Sequence, residues 1–265
     1  MKLYSLFGNP VAHSLSPRMH NLAFLRLGIR GAYIRTLLEE GSALRATFES
    51  LRLDGANVTV PHKQHAFKAC DYVQGIGARI GAVNTLVKQG DTLVGHNTDA
   101  PGFMRTIETL PPPSSALILG AGGTARAIAF ALKEANVDVV LLNRSAPNLA
   151  PFIAQGFECY THASFTPRSF DLIINTTSAG LHADELPLAS SILKAVFQNA
   201  TSAFDVIYNK QTPFLALAQH HGLTCKDGKE MLLWQGVLAF NLFHDNRLQE
   251  AKIAEAMQEA LRLSS

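Results

Sequence analysis

The chain has 265 residues, 47% of them hydrophobic and 17% charged. That is enough apolar material for a real core and excludes a mainly disordered chain. A net charge of +2 leaves no basic excess for nucleic acid, and no apolar run approaches the ~20 residues of a bilayer span.

The N-terminal apolar run is too short for a signal peptide and leads straight into polar residues. Cys70, Cys159 and Cys225 lie far apart with no C-x-x-C spacing, and the ten histidines include no H-x-x-x-H. These features predict reduced thiols, a cytoplasmic setting and no metal site. Residues 3–8 read as a strand, and Pro17 opens a helix that Ser16 is placed to cap. Residues 32–38 read as a strand, 42–52 as a helix capped by Ser42, and 56–60 as a strand stopped by Pro61. Residues 81–87 and 92–96 read as two strands joined across Gly90-Asp91, with Asp99 placed to cap a helix over 100–109. Pro111-Pro112-Pro113-Ser114-Ser115 reads as a stiff connector.

A new βαβ unit follows it: strand 116–119, a helix from Gly122, and strand 137–142. Two short strands (171–175 and 203–207) and two helices (228–244 and 249–263) complete the chain. In the last helix, Ile253, Met257, Ala260 and Leu261 form one apolar face. The alternation predicts an α/β protein with mostly parallel sheet, in two domains.

Gly120-Ala121-Gly122-Gly123-Thr124-Ala125 joins the strand and helix of the new unit and matches G-x-G-x-x-A. Gly120 suits a tight turn, Gly122 lets backbone approach a pyrophosphate, and Ala125 is small enough for helix–strand packing. The helix N-terminus then offers free N–H groups and a positive dipole end to phosphates. At the end of the next strand the chain reads Asn143-Arg144-Ser145, without the acid that would bind an NAD ribose. An arginine there favours the 2′-phosphate of NADP.

Four polar segments lie at strand ends or in adjacent loops: His13-Ser14-Leu15-Ser16, Asn57 to Lys63, Ala82-Val83-Asn84-Thr85, and Asn97-Thr98-Asp99. Singly, each reads as a cap, a loop hydrogen bond or a solvated side chain. Converging, they supply hydroxyls, amides, one ammonium and one carboxylate, which suits a small polyhydroxylated ligand.

These segments, with His20-Asn21, Gly120 to Gly123, Asn143-Arg144, Asn175-x-Thr177-Ser178-x-Gly180, Asp205-x-x-Tyr208 and Asp227-Gly228-x-x-Met231-Leu232-x-x-Gln235, resemble the shikimate dehydrogenase family. The resemblance runs in order from residue 5 to about residue 240. It implies reduction of 3-dehydroshikimate to shikimate with NADPH, on the pathway to aromatic amino acids. It also implies an N-terminal α/β substrate domain and a Rossmann-type NADP-binding domain, with the active site in the cleft between them. The substrate domain would comprise 1–100 and 231–265, the cofactor domain 101–230.

Lys63 would be the acid/base, with Asp99 beside it. Ser14 and Ser16 would bind the substrate carboxylate, which Tyr208 would approach. Thr59, Asn84, Asp99 and Gln235 would bind ring hydroxyls or the carbonyl. Gly120, Ala121, Gly122, Gly123 and Thr124 would hold the pyrophosphate. Asn143, Arg144 and Ser145 would take the adenosine 2′-phosphate side, with Val206 and Gly228 near the nicotinamide. The implied partners are the small-molecule substrate and NADP(H), on a monomer or homodimer, with neither nucleic acid nor membrane.

The sequence departs from the family pattern in four places. His62 stands where Phe is usual and reads as packing. Ala100-Pro101 replaces a small glycine-containing turn. Asn148 stands where many NADP-preferring members carry a second basic residue, and Lys210 where many have Pro. The competing readings are a quinate/shikimate dehydrogenase that uses NAD, or either cofactor, and a non-catalytic shikimate-binding relative. Arg144 argues against the first, and retention of both Lys63 and Asp99 against the second.

Overall fold

The computed structural model describes residues 1–263. The chain divides into two compact units. One comprises Met1–Gly102 and the chain from Leu232 onward; the other is Phe103–Met231.

In the first unit the elements run β1 (Lys2–Gly8), α1 (Ser16–Arg26), β2 (Gly31–Leu37), α2 (Leu44–Ser50), β3 (Gly55–Val58) and α3 (Lys63–Ala69). They continue with β4 (Tyr72–Val73), α4 (Ile76–Ile80), β5 (Thr85–Gln89), β6 (Thr92–His96) and α5 (Asp99–Ile107). The second unit holds β7 (Ser115–Leu119), α6 (Gly123–Glu134), β8 (Asp138–Asn143), α7 (Ala150–Ile153), β9 (Glu158–Thr161), β10 (Leu172–Asn175) and α8 (Ser190–Phe197). It ends with β11 (Ser202–Asp205), α9 (Pro213–His220) and β12 (Thr224–Lys226). Helices α10 (Lys229–Leu242) and α11 (Glu250–Arg262) follow. The divisions between units fall inside α5 and α10, not at the proline connector.

The first sheet has the order β2-β1-β3-β5-β6-β4. It is mixed: β1, β2 and β3 run parallel, while β5 is antiparallel to both β3 and β6. The antiparallel pair is the hairpin that Gly90 turns, at φ +62°. Along β1 the period of two separates the layers. Tyr4 and Leu6 pack with Phe24, Phe240, Phe243 and Met257 on one face. Phe7 packs with Leu44, Phe48, Val58 and Leu86 on the other. Ile253, Met257 and Ala260 of α11 are fully buried, as their helical spacing predicts.

The second sheet is wholly parallel, in the order β12-β11-β10-β7-β8-β9. Read outward from β7, this is the doubly wound Rossmann order, with its switch point between β7 and β10.

Three sequence expectations need correction. Residues 42–52 split into a 3-10 turn at Gly41–Ala43 and then α2, and Ser42 caps neither piece. Leu15 is the N-cap of α1 and is already helical in backbone, so Ser16 lies inside the helix and forms no cap; Ser14 Oγ accepts the Ser16 N–H instead. Residues 81–84 precede β5 and do not belong to it, because Gly81 ends α4 in a left-handed conformation. Elements α3, α4, β4, α7, α8, β9, α9 and β12 are two to eight residues long and carry too few turns or alternations to register as periodic.

Candidate active site

Three chain segments bring a buried ion pair together in the first unit. Lys63 opens α3, just beyond β3; Asp99 opens α5; Asn84 precedes β5. Lys63 Nζ donates to Asp99 Oδ2 at 2.6 Å, and Asn84 Nδ2 donates to Asp99 Oδ1 at 2.9 Å. Asn84 Oδ1 accepts the Thr98 N–H at 2.7 Å, which orients its amide. Lys63 is 8% exposed and Asp99 6%. Charges so buried persist only when paired and hydrogen-bonded, and both conditions hold here. Asp99 is therefore not a free capping carboxylate: Asn97 Oδ1 accepts the Ala100 N–H in that role.

The other predicted residues of this unit are placed by nearby contacts. Ser14 and Ser16 are buried, with Ser14 Oγ donating to Ser16 Oγ at 3.2 Å. Arg35 holds their loop through the Ser14 carbonyl at 2.6 Å. Thr59 is half-buried, and its carbonyl accepts the His62 N–H, which links it to the start of α3. His62 is buried; its Nε2 lies 2.6 Å from the Leu38 carbonyl and its ring meets His65 edge-on. Gln235 is half-buried on α10 and donates to the Leu232 carbonyl. A Cβ at Gly102 would lie 2.8 Å from the Gln235 backbone nitrogen, so glycine lets α5 and α10 touch. Ala100 and Pro101 form the first turn of α5, where proline is tolerated, in place of the expected turn.

In the second unit the loops after β7 and β10 face each other at the switch point. Gly120 has φ +109°, and a Cβ there would lie 2.5 Å from Thr176 Oγ1. Thr176 in turn bonds to the Leu119 carbonyl through both its N–H and its hydroxyl. Gly122 is the N-cap of α6, and a Cβ on it would meet no atom within 4 Å. Gly123 and Thr124 form the first turn, and Ala125 is fully buried against the sheet. Asn143 ends β8 and donates to the Ser145 carbonyl, while Arg144 is exposed between them. Burial, and secondarily Arg144, lowers the pKa of nearby His162. Asn148 is exposed.

Val206 and Gly228 meet: a Cβ at Gly228 would lie 2.1 Å from the Val206 carbonyl oxygen. Asp205, wholly buried, holds this region by accepting from Asn175 Nδ2, Thr212 Oγ1 and the Ile207 N–H. Burial raises its pKa, and those three hydrogen bonds oppose the rise. Thr212 had no place among the expected site residues, although Thr212-Pro213 is a cap-then-proline helix start that its sequence displays. Tyr208, next along the chain, is half-buried, and burial raises its pKa. Among the described residues no cluster of three His, Cys, Asp or Glu could hold a metal ion, and no helix is long and apolar enough to cross a membrane.

A parallel sheet of this order, with a glycine turn over an open helix N-terminus at its switch point, defines a Rossmann-type nucleotide-binding unit. The shikimate dehydrogenase substrate binding domain model matches residues 6–86. A shikimate dehydrogenase (NADP(+)) of Helicobacter hepaticus is 48% identical, over 97% of this chain and 98% of that protein. One from Moorella thermoacetica is 38% identical, over 99% and 95%. The crystal structure of shikimate 5-dehydrogenase from Thermus thermophilus in complex with NADP(H) and shikimate is 35% identical, covering 98% of this chain and 100% of that one, with a TM-score of 0.86. The chain belongs to the shikimate dehydrogenase family.

Proposed function

We propose that the protein is an NADP-dependent oxidoreductase that interconverts 3-dehydroshikimate and shikimate. The observation that carries this reading is the buried Lys63–Asp99 pair, a positioned proton donor, in a chain whose other unit presents an open glycine turn at a helix N-terminus. The Thermus thermophilus structure that the chain resembles holds both NADP(H) and shikimate.

The residues present fit the cofactor. Gly122 leaves room for close approach, the α6 N-terminus supplies N–H donors, and exposed Arg144 can meet a 2′-phosphate. Residues 120–124 would hold the pyrophosphate, and Asn143, Arg144 and Ser145 the adenosine side. Val206 and Gly228 would shape the nicotinamide face. Bound NADPH supplies the hydride. Ser14 and Ser16 hydroxyls would grip the substrate carboxylate, with Tyr208 close by. Thr59, Asn84, Asp99 and Gln235 would bind the ring oxygens. As the substrate carbonyl oxygen gains negative charge, Lys63 Nζ stabilises it and passes it a proton. Asp99 holds the ammonium in place and, through its second oxygen, stays fixed to Asn84.

In this reading residues 1–100 and 231–265 form the substrate domain and 101–230 the cofactor domain. The three free cysteines fit a reducing compartment, hence a cytoplasmic enzyme, acting as a monomer or homodimer. The test is nicotinamide absorbance with shikimate or quinate as substrate and NADP or NAD as oxidant. Turnover is expected with shikimate and NADP. No turnover with any pair would sink the proposal, and equal kcat/KM with NAD would remove the role given to Arg144.

A further inference from the structure

Two neighbouring residues of α1, His20 and Asn21, take no part in the site just described, yet both are tied to it through Tyr33, Asn21 by hydrogen bonds and His20 by ring stacking. β2 is the edge strand of the first sheet, and Tyr33 is its one buried residue, 2% exposed. Asn21 clamps the Tyr33 backbone from the open edge: its Nδ2 donates to the Tyr33 carbonyl at 2.8 Å, and its Oδ1 accepts the Tyr33 N–H at 2.9 Å. These bonds satisfy edge groups that would otherwise need water. His20, fully buried, stacks on the Tyr33 ring at 4.2 Å between centroids and 19° between planes. Backbone and ring are thus both held, which fixes the position of the hydroxyl.

The Tyr33 O–H donates to Asn57 Oδ1 at 2.8 Å. Burial raises the Tyr33 pKa well above its usual value, so the hydroxyl keeps its proton and remains a donor. With Asn57 Oδ1 committed, Asn57 Nδ2 faces the other way and donates to the Asn84 carbonyl and to Thr85 Oγ1. Thr85 Oγ1 donates to Asn84 Oδ1 at 3.1 Å, which already accepts the Thr98 N–H. Asn84 Nδ2 is left to donate to Asp99, and Asp99 to accept from Lys63. Tyr33, Asn57, Thr85, Asn84, Thr98, Asp99 and Lys63 are all buried, so turning any one amide strands a donor or acceptor away from water.

We infer that Tyr33, clamped by His20 and Asn21, is a positioning residue for the Lys63–Asp99 pair and acts through Asn57 and Asn84. The inference rests on the reading of Lys63 as the proton donor. Tyr33→Phe keeps the ring and its stack on His20 and removes only the hydroxyl. It should lower kcat about tenfold while KM for shikimate and NADP stays within about twofold, since a displaced donor is felt mainly in the transition state. The pH dependence of kcat should shift as well, which a loss of stability alone would not cause. In a Lys63→Ala background, Tyr33→Phe should have no further effect on kcat. Asn21→Ala, which loosens the clamp without touching the hydroxyl, should shift the pH profile in the same direction by less, and serves if Tyr33→Phe does not fold. A folded Tyr33→Phe with normal kcat and pH profile, beside a crippled Lys63→Ala, would overturn this inference alone; so would effects that multiply in the double variant. A near-normal Lys63→Ala would overturn the reading of Lys63 and the inference with it.

Discussion

Around Lys63 the polar groups are buried and bonded to one another, whereas around residues 120–124 the groups available to a ligand are backbone N–H groups beside an open glycine. The first arrangement is a network of side chains that orient one another; in the proposed reading it discriminates among ring substituents, because an ill-matched ligand leaves a buried group unpaired. The second is generic: a helix end and a turn that suit any pyrophosphate, with selectivity assigned in the proposed reading to one exposed side chain, Arg144. Changes in the first region should therefore spread through the network, while changes in the second should stay local.

The largest effect expected is that of Lys63→Ala. Loss of a positioned acid should lower kcat by about 10²–10⁴-fold with a smaller change in KM, measured in steady state on protein verified as folded by circular dichroism. A near-normal kcat would remove the basis for contrasting the regions. Next, Arg144→Ala should lower kcat/KM for NADPH by about 10–100-fold, the scale of a charge-assisted hydrogen bond, and leave NADH unchanged. Equal losses with both cofactors would mean that Arg144 does not read the 2′-phosphate.

A third prediction concerns the stack behind the network. Burial, and secondarily His244, lowers the His20 pKa from 6.5 to about 3. The unfolded chain then binds more protons than the folded one between those values. This contribution to stability is complete above pH 6.5 and is lost progressively as pH falls toward about 3. Urea unfolding at pH 7 and pH 5 should show the decline, and His20→Phe should reduce it; an unaltered decline would assign it to other groups. The smallest effect is on the open side of the second region. Gly122→Ala places its methyl where no atom lies within 4 Å, so stability should change by no more than about 0.5 kcal/mol while NADP affinity, measured by titration calorimetry, falls. A large loss of stability would show that the turn is not open as described.

Some of this was legible before any coordinates. The glycine turn, the helix behind it, the missing acid beside Arg144 and the apolar face of α11 depend on contiguous residues, and all lie where the sequence places them. Expectations about which polar side chain meets which partner fared less well. Ser16, Ser42 and Asp99 each looked like a helix cap because each stands just before a helical run, and none serves as one. A cap is read from neighbours in sequence, whereas the partners of Asp99 lie 15 and 36 residues away, and only the family resemblance puts Lys63 beside it. Tyr33 shows the limit most clearly. In sequence it is one aromatic in a short strand, and its partners Asn57 and Asn21 are 24 and 12 residues distant.

What the sequence by itself determined is what local chemistry encodes: the period of each long helix and strand, the glycines that turns require, and the types of donor and charge available. The tertiary structure alone decided which way the amides of Asn57 and Asn84 face, how deeply Lys63 and Asp99 are buried, and the strand order of the first sheet. The physical reason is that a backbone dihedral or a hydrophobic period is a property of a short segment. The orientation of a buried amide is set only when every donor and acceptor around it has been brought together and must be satisfied at once.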